Sequence, residues 1–127
     1  MILDTCTFLW LVADQAKLSE TAKRLIVEKS KSMFISSISA FEIAVKHRKG
    51  AIRLPLPVRD WVPLALRHHG VSEIPVDTAI AARSCELPPL HNDPCDRMII
   101  ATAQLLGIEI ITPDHLIRQY PEVVVRW

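Results

Sequence analysis

Short apolar runs alternate with longer segments of helical period, and this alternation restricts the fold more than any other feature of the sequence. Met1 to Asp4, Met33 to Ser36, Ser72 to Val76 and Glu109 to Thr112 read as strands, and Val123 to Arg126 can form a fifth. Between them the spacing predicts a helix over about Thr5 to Val12, a second behind a Ser19 N-cap, and others over Ile38 to Lys49 and Arg59 to His69. Leu54-Pro55-Leu56-Pro57 reads as a turn, and Gly70 stops the helix that follows it. Asp77 caps a helix to about Glu86, Pro88-Pro89 breaks it, and Asp93-Pro94 opens the best-defined helix, which Gly107 ends. Strands alternating with helices of ~10–15 residues argue for an α/β fold on a parallel sheet. Such sheets bind ligands beyond the carboxyl ends of their strands.

At 127 residues the chain is expected to be one domain, 1–127, able to bury roughly two-thirds of its unfolded surface. Fifteen Lys and Arg against 14 Asp and Glu leave a net charge of +1. Global charge therefore neither predicts nor excludes nucleic acid. Cys6, Cys85 and Cys95 are odd in number, widely spaced and form no CxxC pair. This argues against a disulfide framework and a zinc site, and a reducing cytoplasm is the expected compartment. Asp4 interrupts the N-terminal apolar run and no basic segment precedes it. Neither a signal peptide nor a membrane span is expected.

Four acids occupy positions where a carboxylate is costly to bury. Asp4 closes the run Met1-Ile2-Leu3, and Asp114 follows the run Ile108 to Thr112. Glu42 flanks the stripe Ile38, Phe41, Val45, and Asp96 shares a helix face with Ile99, Ile100 and Ala103. Each has an ordinary structural explanation: Asp is common at strand ends and caps, and Glu42 can reach water from the rim of the core. Asp93 and Asp96 both suit a helix start. Capping is assigned to Asp93 and chemistry to Asp96, with Asp93 free to join as an outer ligand. Jointly the four map to one edge of the inferred sheet, where carboxylates repel each other unless a cation neutralises them. All-oxygen ligation points to Mg²⁺ or Mn²⁺, with positions left for water and a phosphate.

Lys46, His47, Arg48 and Lys49 follow Glu42, and Arg97 adjoins Asp96. A solvated face explains them, as does phosphate contact beside a metal site. His47, His68, His69, His91 and His115 show no helical zinc spacing, and His68-His69 read as surface residues.

Four blocks of this sequence resemble the signature regions of PIN-domain ribonucleases, and most closely the VapC-like toxins. They are Ile2-Leu3-Asp4-Thr5, SSISAFEIAVK from Ser36 to Lys46, LHNDPCDRMIIATA from Leu90 to Ala103, and IITPD from Ile110 to Asp114. The resemblance implies a PIN-like three-layer α/β/α sandwich with a mainly parallel central sheet. It also implies metal-dependent RNA hydrolysis, without a covalent protein intermediate, that leaves 5′-phosphate and 3′-hydroxyl ends. Asp4, Glu42, Asp96 and Asp114 match the family's metal-binding acids, and Asp93 matches a further acidic position. Thr5 and Thr112 match polar neighbours that orient water or the acids, and Arg97 a basic position. Lys46 or Arg97 is expected at a phosphate. The implied partners are RNA, a cognate antitoxin and a second copy of the chain, with no membrane. Cys6 and Cys95 depart from the usual residues at their positions, outside the carboxylate set.

Two other classes compete with this reading. A phosphate-accepting signalling domain also clusters aspartates around Mg²⁺ at strand ends. It requires an acceptor Asp after a middle strand and a late Lys, whereas here the middle acid is Glu42 and no Lys follows Lys49. A non-catalytic PIN-fold binding module would need no acids, yet all four are present.

Overall fold

The computed structural model describes residues 1–127. Five parallel strands form one sheet in the order β3-β2-β1-β4-β5. They are β1 Ile2–Leu3, β2 Phe34–Ser36, β3 Ser72–Ile74, β4 Ile110–Ile111 and β5 Val125–Arg126. Six helices connect them: α1 Thr5–Ala13, α2 Glu20–Glu28, α3 Ser37–Arg48, α4 Val58–His69, α5 Thr78–Glu86 and α6 Pro94–Leu106. The fold is thus the expected α/β sandwich. β1 is shorter than its apolar run suggested because Asp4 leaves the strand to become the N-cap of α1, and β4 is confined to Ile110–Ile111. No helix is long and apolar enough to cross a membrane.

Side chains alternate across the sheet, as the two-residue period of a strand requires. Leu3, Ile35 and Ile111 face one core with Phe8, Leu11, Ala22, Ile43, Trp61 and Ala65 from α1 to α4. Ile2 and Ile110 face a second core with Ile80, Ile99, Ile100 and Ala103 from α5 and α6. Phe8 and Trp61 meet edge to face at 6.2 Å, so these aromatics serve the core. Local signals at the helix ends hold as read: Ser19 and Asp77 accept from Ala22 N and Ile80 N at 3.0 and 2.8 Å. Gly107, at φ 61°, adopts the left-handed conformation that ends α6.

The buried face of α3 differs from the predicted stripe. Ser39 and Ile43 are buried, while Phe41 is 60 % exposed. Ser39 can be buried because its hydroxyl accepts a 3.0 Å hydrogen bond from Thr5 Oγ1, so a polar contact between α1 and α3 occupies a place that periodicity assigned to apolar side chains.

The strand order runs outward in opposite directions from β1, to β2 and β3 on one side and to β4 and β5 on the other. A crevice opens beyond the carboxyl ends of the strands at such a reversal. Register places Leu3 beside Ile111, and Asp4 and Thr112 follow them directly.

Candidate metal and phosphodiester site

An open cleft of about 430 Å³ lies at this reversal, lined by Asp4, Thr5, Cys6, Glu42, Asp96, Pro113, Asp114, His115 and Leu116. It brings together all four acids singled out in the sequence. Each arrives on a different element: Asp4 after β1, Glu42 on α3, Asp96 on α6 and Asp114 beyond β4.

Asp4 is almost wholly buried. Its Oδ1 accepts Thr7 N at 2.6 Å, and its Oδ2 accepts the Thr112 hydroxyl. The same Thr112 oxygen accepts Asp114 N at 3.0 Å, so Thr112 joins the ends of β1 and β4 and fixes both acids. Burial raises the Asp4 pKa, against the lowering effect of the Thr112 and Thr7 hydrogen bonds. Thr5 is buried against Ser39 and ties α1 to the helix that carries Glu42.

Asp96 is the third residue of α6, behind the Asp93 cap. Burial pushes its carboxyl up to about 7, opposed by His91 and reinforced by Asp93, Glu42 and Asp4. Asp114 moves the other way. Burial acts against its charge, but hydrogen bonds from His91 and from Leu116 N outweigh it and hold its pKa low. Glu42 Oε1 lies 3.3 Å from Lys46 Nζ, whereas its Oε2 is buried with no hydrogen-bond partner. An unpartnered buried carboxylate oxygen, on a residue that lines a cleft with three other acids, favours a positive group nearby. The donor set is all oxygen, which suits a hard divalent cation.

The elevated Asp96 pKa predicts a pH dependence. Below an ordinary Asp pKa the group is protonated whether folded or not. As pH rises through about 7 the folded state loses its proton later than the unfolded state, and that contribution to stability disappears. Metal-free protein is therefore expected to melt at a lower temperature at pH 8 than at pH 5, and Asp96→Asn to reduce the difference, leaving the part due to Asp4, whose pKa burial also raises. Asp114 is ionised in both states across this window and leaves the slope unchanged. Identical slopes in thermal melts of the two proteins would contradict the expectation.

Asp93 is not brought into the cleft. Its Oδ1 accepts Cys95 N at 2.8 Å, and it lines a neighbouring depression with Phe41, Val45, Lys49 and Cys95. Arg97 requires a correction. It was expected at a phosphate, but its guanidinium is committed to the protein. Nε donates to Ser84 O at 3.0 Å and Nη2 to Leu87 O at 2.7 Å. Nη1 reaches Pro88 O, His91 O and Tyr120 Oη at 2.9, 3.2 and 3.3 Å. Arg97 thus clamps the loop from 87 to 91 onto α6. Arg97→Lys, which cannot reproduce this planar fork, is expected to destabilise the fold by about 3 kcal/mol. Denaturant unfolding measures this, and an unchanged midpoint would return Arg97 to the substrate.

Sequence reasoning missed His91. It is buried, and its Nε2 lies 2.9 Å from Asp114 Oδ2 and 3.3 Å from Asp96 Oδ2. The signal available was its place at the head of the His-x-Asp-Pro-x-Asp-Arg run. The thiols offer no nucleophile: burial, then Asp4, pushes Cys6 up to about 11, and burial, then Asp93, pushes Cys95 up to about 12.

The PIN-domain family model matches residues 1–123. Ribonuclease VapC22 of Mycobacterium tuberculosis is 31% identical over 130 residues, covering 100% of this chain and 98% of that protein. The chain belongs to the PIN-domain family. Among solved structures, VapBC2 from Rickettsia felis, bound to a DNA fragment from its promoter, superposes with a TM-score of 0.72 at 14% identity, covering 98% of this chain and 96% of that one. A toxin–antitoxin complex from Klebsiella pneumoniae gives a TM-score of 0.66 at 26% identity, covering 97% and 94%.

Proposed function

We propose that residues 1–127 act as one PIN-domain unit, a divalent-metal-dependent endoribonuclease and the toxin of a toxin–antitoxin pair. The observation that carries the reading is the convergence of Asp4, Glu42, Asp96 and Asp114 on one cleft, with Glu42 Oε2 unpartnered. Full-length similarity to a ribonuclease and likeness to toxin–antitoxin complexes support it. Asp4, Asp96 and Asp114 would hold Mg²⁺ or Mn²⁺, and Glu42 would complete the set or hold a water. The cation, when bound, supplies charge neutralisation at the phosphodiester and acidification of the attacking water.

The remaining roles belong to the chain. Thr112 keeps Asp4 and Asp114 together, and Thr5 keeps α1 against α3. Lys46, half-exposed and one turn beyond Glu42, would meet a phosphate through solvent. No covalent protein intermediate is required, and hydrolysis proceeds by direct attack of water on phosphorus. RNA is the substrate. The reading includes a cognate antitoxin, a homodimeric state and a cytoplasmic location.

The test is incubation of the protein with RNA and DNA of one sequence in Mg²⁺, with analysis of product ends. Internal cuts confined to RNA, leaving 5′-phosphates, are expected. Ends bearing 2′,3′-cyclic phosphate would overturn the mechanism, since they arise from attack by the ribose rather than by water.

A further inference from the structure

His91, Asp96 and Asp114 each offer one ligating atom, and the three atoms lie within 4.8 Å of one another. On spacing alone His91 is a metal ligand. Its hydrogen bonds indicate otherwise. The backbone N–H of Asp93 donates to His91 Nδ1 at 3.0 Å, so Nδ1 bears a lone pair and no proton. The ring proton then sits on Nε2, the atom that faces Asp114 Oδ2 at 2.9 Å and Asp96 Oδ2 at 3.3 Å. A nitrogen that carries a proton has no lone pair for a metal.

The ring is held in place by its own backbone. His91 N donates to Tyr120 Oη at 2.8 Å, Tyr120 Oη donates to Pro88 O at 3.0 Å, and His91 O accepts Arg97 Nη1 at 3.2 Å. Tyr120 and Arg97 therefore place the imidazole between two acids that arrive from α6 and from the end of β4.

We propose that His91 is a positioning residue of the cation site. Its imidazole keeps a proton on Nε2, donates it to Asp114 Oδ2 and lies 3.3 Å from Asp96 Oδ2, holding the two carboxylates together without ligating the ion. This rests on the cation reading given above. Without the bridge, Asp96 loses its one polar partner, and Asp114 keeps only the Leu116 N–H on Oδ1 at 2.7 Å. Two like charges would then separate, and a cation would have to gather them again.

The test combines the resting state of the ring with ion affinity. In metal-free, ¹⁵N-labelled wild type, long-range ¹H–¹⁵N correlations should report a single His91 tautomer protonated at Nε2. A ring protonated at Nδ1 would overturn the proposal, and this readout requires no variant to fold. Mn²⁺ binding measured by calorimetry should weaken by roughly 10–100-fold in His91→Ala, the usual cost of losing a group that orients metal ligands. His91→Gln, whose amide nitrogen can donate as Nε2 does, should recover most of that affinity. Unchanged or tighter binding in His91→Ala, or no recovery in His91→Gln, would overturn it. So would an electron spin-echo signal from nitrogen coordinated to Mn²⁺. Wild type that takes up no Mn²⁺ would overturn the cation reading and this inference together, whereas a binding wild type matched by His91→Ala would overturn the inference alone.

Discussion

Asp4→Asn is expected to remove RNA cleavage, by roughly a thousandfold or more, while the protein stays folded. The retained Asn Oδ1 can accept Thr7 N as Asp4 Oδ1 does, so the cap of α1 survives. At the other oxygen, the Asn amide would donate to the Thr112 hydroxyl, reversing the present bond. What is lost is the negative charge, at a buried position where that charge is costly. Metal-free Asp4→Asn should therefore melt at or above the wild-type temperature, even as the site loses an anionic ligand. Single-turnover cleavage and a thermal melt measure the two halves. Full activity in a folded variant would remove Asp4 from the proposed metal set.

Glu42→Gln and Lys46→Ala are expected to fail in different ways. Glu42 Oε1 is paired with Lys46 but its Oε2 has no protein partner, so neutralising the side chain removes a charge proposed to serve the ion or its water. Turnover at saturating RNA should fall by roughly 100-fold. Lys46 is half-exposed, and its loss should weaken RNA binding and reduce the salt slope by about 0.7 to 0.9. The two side chains touch, with Nζ 3.3 Å from Oε1, so the double variant should depart from the sum of the singles. Rates across a range of RNA and salt concentrations separate these effects. Lost saturated turnover in Lys46→Ala with Glu42→Gln unaffected would reverse the two assignments.

Much of this architecture was legible because its signals are local. Apolar runs bounded by caps, prolines and glycines located five strands and six helices, and Asp93-Pro94 with Gly107 marked both ends of α6. The acids were legible because a carboxylate at the end of an apolar run contradicts the pattern around it. The features that escaped depend on contacts distant in sequence. The buried face of α3 was misjudged because Ser39 finds its partner in Thr5, 34 residues away. The imidazole of His91 meets Asp114 across 23 residues, and its backbone meets Tyr120 across 29. Arg97 looked like a surface cation because most of the carbonyls it binds belong to a loop that has no periodicity to read.

On this reading, RNA cleavage depends on a divalent cation held by these four carboxylates. That dependence is tested most directly by stripping wild type and Asp4→Asn with EDTA and titrating Mg²⁺ or Mn²⁺ back while cleavage of one labelled RNA is followed. The expected result is no cleavage by stripped wild type, a saturable return as the ion is added, and no return in Asp4→Asn at comparable concentrations. Undiminished cleavage by wild type in excess EDTA, or equal recovery in both proteins, would contradict the reading.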